Sequence, residues 1–205
     1  MSALFDYDDD RELKNAARVR ALEALLIEKG IITSDTVDKV ISYFETEMGP
    51  FNGAKLVAKA WVDPEFKKLL VTNTPAAIAK MDFPQGMAGA EGEHMRAVEN
   101  TPQVHNIIIC TLCSCYPWPV LGLPPYWYKD PSFRARAARE PRAVLKEFGV
   151  ELDDDVEVRV WDSSAQIRWF VVPQRPSGTE GMTEEELASL VTPEAMMGVA
   201  FAQAP

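Results

Sequence analysis

Cys110-Thr111-Leu112-Cys113-Ser114-Cys115 contains every cysteine of the chain, and the rest of the sequence is best interpreted around it. A tyrosine, two prolines and a tryptophan follow at once, in Tyr116-Pro117-Trp118-Pro119. Because prolines at this density disfavour a regular helix or a central strand, the segment is predicted to be an irregular loop. The concentration of thiol side chains in this short loop predicts that it binds a metal ion.

The spacing of the last two cysteines suits one particular kind of metal site. Cys113 and Cys115 offer two sulfur atoms, and the backbone nitrogens of Ser114 and Cys115 lie between them. If both amides lose their protons, these four donors can surround one ion in a plane through low-strain chelate rings. Cys110 can bind below that plane, which leaves a position open above it. Five anionic donors favour a small trivalent ion such as Co(III) or Fe(III) over Zn(II), which prefers closed tetrahedra of side-chain ligands.

Other interpretations of the cysteines stay open on spacing alone. They could be buried apolar residues, because unmodified cysteine is often buried. They could form part of a zinc site, for which the chain has only His94 and His105 as imidazole ligands; each is better explained as an exposed or hydrogen-bonded strand residue. A disulfide with one odd thiol suits a small secreted domain better. A Cys-X-X-Cys redox motif would normally open a helix, which the prolines oppose.

The loop and its surroundings resemble the nitrile hydratase alpha subunit. The run from Ile109 to Pro119 matches the metal loop of that family, and Thr111 with Tyr116 is typical of its cobalt type, since iron members typically carry serine at the first of these positions. The likeness is co-linear from Arg18 to Val199. It also includes Gly53-Ala54-Lys55, Ala60–Phe66, Val120–Pro125, Trp127-Tyr128-Lys129, Arg139–Arg142, Val160–Ser164 and Pro173–Pro176.

The resemblance implies an enzyme of the lyase class that hydrates nitriles to amides. It implies that Cys110, Cys113, Ser114 and Cys115 hold low-spin Co(III), with Fe(III) less favoured. It further implies that Cys113 is oxidised to cysteine sulfinic acid and Cys115 to cysteine sulfenic acid, while Cys110 stays a thiolate. Cys115 and Ser114 are then the catalytic candidates. Whether the sulfenate attacks the nitrile carbon or activates water is left open by the family.

Two residues outside the hexapeptide are candidates for the substrate pocket, namely Trp118 and Glu91. Glu91 stands where many relatives carry glutamine, so a carboxylate there would alter the proton relay or repel anions. The nearest alternative activity is that of thiocyanate hydrolase, whose metal-binding subunit shares the hexapeptide. Trp118 and the run Leu123-Pro124-Pro125 favour nitrile hydratase over it. A protein that only stores or senses metal is a more distant alternative.

The resemblance also implies the partners. An obligate nitrile hydratase beta subunit would supply arginines to the oxidised cysteines, giving an αβ or α2β2 assembly, and an activator protein would insert cobalt. The net charge of −10 opposes binding to nucleic acid, whose phosphates need a basic surface. Met1 to Asp10 is acidic and unlike a signal peptide, and no apolar run reaches the length of a membrane span. A cytoplasmic location is therefore expected.

The distribution of apolar residues predicts an α+β fold in two parts. Residues 1–80 are predicted to form a helical arm, with Gly30, Asp63-Pro64 and Thr74-Pro75 at helix boundaries. Residues 81–205 are predicted to form the catalytic domain, with the metal loop 110–115 directly after a strand. Asp162-Ser163-Ser164 between two alternating runs suggests a hairpin. The resemblance implies a layered α/β/β/α domain, with the arm contacting the beta subunit.

Overall fold

The computed structural model describes residues 9–46, 48–81, 83, 94–112 and 115–204. The chain divides into two compact units, residues 1–47 and residues 48–205. The second unit therefore begins earlier than the predicted boundary at residue 81. The reason is that helices in the intervening segment pack against the first strand of the second unit. The assignment of residues 1–80 to a beta-subunit arm stays a prediction.

The first unit consists of the helices α1 (Asp9–Glu28) and α2 (Ser34–Thr46). Gly30 ends α1 as predicted, because its φ of 67° is a left-handed conformation that glycine adopts without strain. Its N–H donates to the carbonyl of Ile27, and the next N–H, of Ile31, donates to Leu26. Large apolar side chains on α1 remain exposed, including Val19 and Leu22 at 64% and 57%.

The second unit opens with the helices α3 (Pro50–Val62), α4 (Pro64–Thr72) and α5 (Thr74–Ile78). The predicted cap at Asp63 is confirmed, since its carboxylate accepts the N–H of Phe66 at 2.9 Å. The cap of α5 is Asn73 and not Thr74. The Thr74 hydroxyl instead donates to the carbonyl of Leu70 and accepts the N–H of Ala97, which ties α4 to the first strand.

The strands are β1 (Met95–Glu99), β2 (Val104–Ile109), β3 (Glu157–Asp162) and β4 (Arg168–Val172). β1 pairs with β4 and β2 pairs with β3, both in parallel. The hairpin predicted between β3 and β4 is therefore wrong, although both strands exist. Parallel pairing with earlier strands buries the apolar runs of β2 and β4 on both faces, which a two-stranded hairpin could not do.

Helices cover both outer faces of the two sheets. The later helices are α6 (Trp118–Leu121), α7 (Pro131–Arg139), α8 (Pro141–Glu147), α9 (Glu184–Ser189) and α10 (Pro193–Met197), with a 3-10 turn at Tyr126–Lys129. α4, α5 and α10 pack on the β1–β4 sheet, while α7 and α8 pack on the β2–β3 sheet, and β2 contacts β4 between them. The predicted α+β class and its α/β/β/α layering are confirmed. In the described part of the chain, no helix is long and apolar enough to cross a membrane.

Gly53 explains how α3 reaches the segment that follows the cysteine loop. A Cβ at this position would lie 2.2 Å from the carbonyl oxygen of Val120 and 2.6 Å from the sulfur of Met196. Only a glycine lets the backbone of α3 approach α6 and α10 this closely. Gly49 adds a backbone bond to the carbonyl of Pro119 at 3.3 Å. The chain leaving the loop is therefore held directly against the core.

His105 lies in the core of β2 with 1% of its surface exposed. Its Nε2 bonds the carbonyl oxygen of Gly198 at 2.7 Å, and its Nδ1 lies 3.4 Å from the side-chain amide of Asn100. A neutral ring can donate to the first and accept from the second. Burial lowers the pKa of His105 below 6.5, although the bond to Gly198 opposes this shift. The prediction that His105 is a hydrogen-bonded strand residue is confirmed.

This burial predicts a loss of stability in acid. Because the pKa of His105 is lower in the folded chain than in the unfolded chain, the unfolded state takes up a proton first as pH falls below 6.5. The stability that neutral, buried His105 contributes is fully present above pH 6.5 and is lost as the pH falls toward the pKa of His105 in the folded chain. The change His105→Gln removes the titration but keeps a donor for Gly198, so unfolding midpoints should depend less steeply on pH. Equal slopes in His105→Gln and the wild-type chain would contradict the prediction.

Candidate metal centre

The cysteine loop begins at the shared carboxyl edge of two parallel strands. Cys110 follows β2 directly and is 0% exposed. Ile109 is in register with Asp162, so β2 and β3 end side by side. The N–H of Ser163 donates to the carbonyl of Ile109 at 2.7 Å, which extends the pairing one step past the strand. The buried strand therefore fixes the position of Cys110, as the sequence predicted.

Asp162 holds the start of the loop. Its carboxylate accepts the backbone N–H of Thr111 at 2.9 Å and also accepts the Thr111 hydroxyl. Both residues are exposed, so water competes for these bonds. Thr111 nevertheless donates two hydrogen bonds, one to each oxygen of the Asp162 carboxylate. Together these bonds define the direction in which the chain leaves Cys110.

Tyr128 holds the other end of the loop. Its hydroxyl donates to the backbone carbonyl of Cys115 at 2.9 Å. Cys115 itself is partly buried, whereas the Tyr128 side chain is completely buried. The Tyr128 ring lies edge-on to Tyr116, with centroids 4.9 Å apart, and near Phe133 at 6.5 Å. The carbonyl of Cys115 thus points into an aromatic cluster of the core.

The two tyrosines beside the loop are held in their neutral form. Burial raises the pKa of the Tyr128 hydroxyl well above its ordinary value, and the nearby Cys110 sulfur raises it further. Burial also raises the pKa of Tyr116, with Glu194 adding to the effect. The Tyr116 hydroxyl points to the sulfur of Met197 at 3.4 Å, away from the loop backbone. At neutral pH both hydroxyls therefore act as hydrogen-bond donors.

The structure places only some of the predicted site residues. Cys110, Cys115 and Trp118 are described, while Cys113, Ser114 and Glu91 lie outside the described residues. Trp118 is partly buried at the start of α6, and its backbone N–H donates to the carbonyl of Tyr116. Among the residues with described positions, no three His, Cys, Asp or Glu side chains converge as metal ligands.

Arg134 and Arg136 lie on α7, close to the loop in sequence. Arg136 forms ion pairs with Glu140, at 3.2 Å, and with Glu147, so it links α7 to α8. Arg134 lines a cavity of about 270 Å³ together with Thr111, Pro131 and Ala135. This cavity opens beside the start of the cysteine loop.

The sequence pattern predicted no site role for Asp162, Ser163 or Tyr128, although these residues lie in runs that resemble the family. One signal could have identified the first two. Asp162 is the last residue of the alternating strand β3 and Ser163 follows it, and side chains at the carboxyl edge of parallel strands often converge on a site. The hairpin prediction hid this, because it placed the pair in a turn. No comparable signal marks Tyr128, whose contact with Cys115 spans a turn that no periodicity predicts.

The hydroxyl of Thr111 makes a testable contribution to the loop. Thr111→Val keeps the side-chain shape and the N–H bond but removes the hydroxyl from Asp162, so the free energy of unfolding should fall by about 1 kcal/mol. Thr111→Ser keeps the hydroxyl and should change stability by less than about 0.5 kcal/mol. Denaturant unfolding of the assembled protein measures both. Equal stability of the two variants would show that the Asp162 contact does not hold the loop.

Known proteins resemble this chain over most of its length. The family model for the nitrile hydratase alpha chain matches residues 13–200. The low-molecular weight cobalt-containing nitrile hydratase subunit alpha of Rhodococcus rhodochrous is 57% identical over 190 residues, which cover 93% of this chain and 90% of the relative. The thiocyanate hydrolase subunit gamma of Thiobacillus thioparus is 41% identical over 187 residues, covering 88% of this chain and 76% of the relative.

Solved structures show the same relationship. A double mutant of the Fe-type nitrile hydratase from Comamonas testosteroni Ni1 superposes with a TM-score of 0.83 and 41% sequence identity. The match covers 94% of this chain and 92% of that chain. Sequence and fold therefore agree over nearly the whole length of this chain. The chain therefore belongs to the nitrile hydratase alpha chain family.

Proposed function

We propose that this chain is the metal-binding catalytic subunit of a nitrile hydratase, which adds water to nitriles and releases the corresponding amides. The observation that carries the proposal is the 57% identity with a cobalt-containing nitrile hydratase alpha subunit over 93% of this chain. Function resides in a site rather than in a fold. The cysteine hexapeptide supplies that site, and the strand, carboxylate and tyrosine described above are arranged around it.

We propose that Cys110, Cys113, Ser114 and Cys115 hold cobalt, in its trivalent state. The donor set fits such an ion. Cys110 offers a buried sulfur, and the spacing of the other residues offers two sulfurs and two amide nitrogens. Thiolate and deprotonated amide donors are anionic and suit a strongly Lewis-acidic ion. When bound, trivalent cobalt supplies the Lewis acidity that polarises a nitrile or acidifies water.

The residues of this chain prepare the loop for that role. The β2–β3 edge fixes Cys110, the Asp162 carboxylate fixes Thr111, and the Tyr128 hydroxyl fixes the carbonyl of Cys115. Ligands whose orientation is set by surrounding hydrogen bonds need not reorganise when metal or substrate arrives. Trp118 lies shortly after the loop, beyond Tyr116 and Pro117, and is proposed, with Glu91, to line the substrate pocket.

We propose that Cys113 carries a sulfinic acid and Cys115 a sulfenic acid, while Cys110 remains a thiolate. The support is the match of the loop to its family. Oxygens on these sulfurs add negative charge to a partly buried site, which needs charge-assisted donors. No lysine or arginine lies within residues 110–115. The missing donors are proposed to be arginines of a beta subunit.

The proposed assembly is therefore an αβ unit, which can pair to α2β2, with cobalt delivered by an activator protein in the cytoplasm. Exposed apolar residues on the first unit support a partner subunit, because Val19, Leu22 and Leu25 are 64%, 57% and 45% exposed. Apolar surface of this kind on a helix is typical of an interface. Nitriles small enough for a pocket shared between subunits are the proposed substrates.

Thiocyanate hydrolysis is the second candidate activity, and the 41% identity with the thiocyanate hydrolase subunit gamma supports it. The higher identity with nitrile hydratase favours hydration of nitriles. The test is to co-express the chain with its neighbouring partner gene in cobalt medium and to assay the purified complex with nitriles and with thiocyanate. Amide formation without thiocyanate turnover is expected. Turnover of thiocyanate but not of nitriles would reverse the assignment.

A further inference from the structure

His105 is buried on the strand that leads to Cys110, and it bonds the C-terminal turn formed by residues 196–198. We infer that His105 is a positioning residue for the cysteine loop, because its neutral ring fastens this turn and the turn packs against both flanks of the loop. The inference rests on the proposed function, since it gives His105 a task at the proposed metal site. His105 is not proposed to touch the metal or the substrate.

The hydrogen bonds around His105 determine which ring nitrogen carries the proton. The side-chain oxygen of Asn100 accepts the backbone N–H of Asn106 at 2.7 Å and its side-chain amide at 2.9 Å. The amide nitrogen of Asn100 therefore faces His105. That nitrogen can only donate, so the Nδ1 of His105 must accept. The proton of the neutral ring is then on Nε2, which donates to the carbonyl of Gly198 at 2.7 Å.

A second proton on His105 has no acceptor in this arrangement. It would place an N–H on Nδ1 that points at the NH2 group of Asn100, 3.4 Å away. Asn100 cannot turn its oxygen toward the ring without losing both bonds from Asn106. The C-terminal segment covers the ring, because the half-exposed Phe201 lies edge-on to it with centroids 5.9 Å apart. Protonation therefore favours a state in which this segment has moved and the ring is in water.

Acidic side chains around the ring do not offer the imidazolium a partner. Those on the neighbouring strands and on α10 are Glu99, Glu157, Asp162 and Glu194. Glu99 pairs with Lys67 at 2.8 Å, and Glu157 pairs with Arg159 at the same distance. Asp162 accepts its bonds from Thr111 at the opposite end of the strand pair. Glu194 is exposed.

Basic side chains on the same elements and on α7 would repel the imidazolium. They are Arg96, Arg134, Arg136, Arg139, Arg159 and Arg168. Among the described residues, none of these charges shifts the pKa of His105, which burial lowers while the bond to Gly198 opposes the shift. The neutral form of His105 is therefore the form that fits the folded chain.

The C-terminal turn contacts the chain before the cysteine loop. Gly198 ends α10 in the left-handed conformation, with a φ of 82°. A Cβ at this position would lie 1.9 Å from the carbonyl oxygen of Asn106 and 3.0 Å from the Cα of Ile107. Only glycine permits this approach. The turn therefore lies directly on β2, the strand that positions Cys110.

The same turn contacts the chain after the loop. Tyr116 follows Cys115, and its hydroxyl donates to the sulfur of Met197 at 3.4 Å. Both of these side chains are buried, at 2% and 1% exposure. With Gly198 against one flank and Met197 against the other, the turn holds the two ends of the loop relative to each other. The bond from His105 to Gly198 in turn holds the turn in place.

The test compares His105→Gln and His105→Leu with the wild-type chain in the assembled complex. Glutamine keeps a donor for Gly198 and an acceptor for Asn100 but does not titrate, whereas leucine keeps bulk and loses both bonds. Hydrogen–deuterium exchange is followed in peptides covering residues 195–204 and 110–118. A peptide from α8, which packs on β3, is the internal control. Proteins are compared only at equal pH, which cancels the intrinsic pH dependence of exchange, and nitrile hydration is measured over the same pH range.

At neutral pH, His105→Leu is expected to raise exchange about tenfold in both the C-terminal and the loop peptide, while His105→Gln matches wild type. At about pH 5, wild type should exceed His105→Gln in the same two peptides by severalfold and at most about thirtyfold, because an exposed ring titrates near 6.5. Exchange in α8 should be equal in all three proteins. Nitrile hydration by wild type should fall at a higher pH than that of His105→Gln.

A rise in the C-terminal peptide without a rise in the loop peptide would overturn the inference, since the turn would then not position the loop. An equal rise in α8, or equal exchange of wild type and His105→Gln in acid, would overturn it as well. If His105→Leu does not assemble, the acid comparison of the other two proteins decides the question. If the complex does not withstand acid, the comparison at neutral pH decides it.

The exchange measurement is independent of the substrate that the complex accepts. A complex that shows the predicted exchange but hydrates no nitrile would therefore count against the proposed function and not against the positioning role of His105. A complex that hydrates nitriles but shows none of the predicted exchange would count against His105 alone.

Discussion

Replacing Cys110 with serine is expected to remove cobalt and nitrile hydration from the assembled enzyme together. Cys110 is completely buried directly after β2, so a water molecule cannot replace its sulfur as a metal ligand. Serine has nearly the same shape but a hard, weakly acidic oxygen, which is a poor ligand where a thiolate is needed. Cobalt content by elemental analysis should fall far below one ion per chain, and amide formation should fall to the uncatalysed rate.

Ile109→Val serves as the control for the Cys110 variant. It shortens the preceding buried side chain of the same strand and should cost about 1 kcal/mol of stability. Because it leaves every proposed ligand in place, it should keep its cobalt and its activity. A Cys110→Ser complex that retains cobalt and hydrates nitriles would remove Cys110 from the metal site.

Loss of activity is also expected when the first unit can no longer bind a partner subunit. Val19, Leu22 and Leu25 lie on one face of α1 and are exposed. Changing all three to glutamine keeps helix propensity and solubility but removes apolar area from the proposed interface. Obligate interfaces commonly bury more than about 2,000 Å², and their apolar centre carries most of the affinity. The triple variant should therefore fail to co-purify with the beta subunit.

The matched control changes Ala17 and Ala24 to glutamine, on the side of α1 away from Val19, Leu22 and Leu25. This variant should assemble and hydrate nitriles at the wild-type rate. Size-exclusion chromatography with light scattering gives the assembly state, and the nitrile assay gives the activity. An unaccompanied wild-type chain that hydrates nitriles at full rate would contradict the proposed need for a partner.

The sequence predicted the local elements of this fold better than their pairing. Gly30 ends a helix and Asp63 begins one as expected, because each acts through neighbours a few residues away. The pairing of β3 and β4 depends on contacts with strands more than fifty residues earlier, as the register of Ile109 with Asp162 shows. Residues of the turn between β3 and β4 cannot reveal that each strand pairs with a distant strand and not with its neighbour in sequence.

The candidate site shows the same division. The cysteine spacing identified the ligands to be tested, since chelation is a local property of the chain. Asp162 and Tyr128 reach the loop only through the folded structure, one from the end of a parallel strand and one from a 3-10 turn. Residues that hold ligands in position are scattered in sequence because rigidity comes from the core and not from the loop.

Metal analysis combined with peptide mass mapping of the freshly purified complex is the most direct test of the central claim. Growth medium should contain both cobalt and iron, so that the loop itself determines the metal. The expected result is cobalt in a one-to-one ratio with this chain, two added oxygens on Cys113, one added oxygen on Cys115 and none on Cys110. Stoichiometric zinc or iron without cobalt, or three unmodified thiols in a complex that hydrates nitriles, would contradict it.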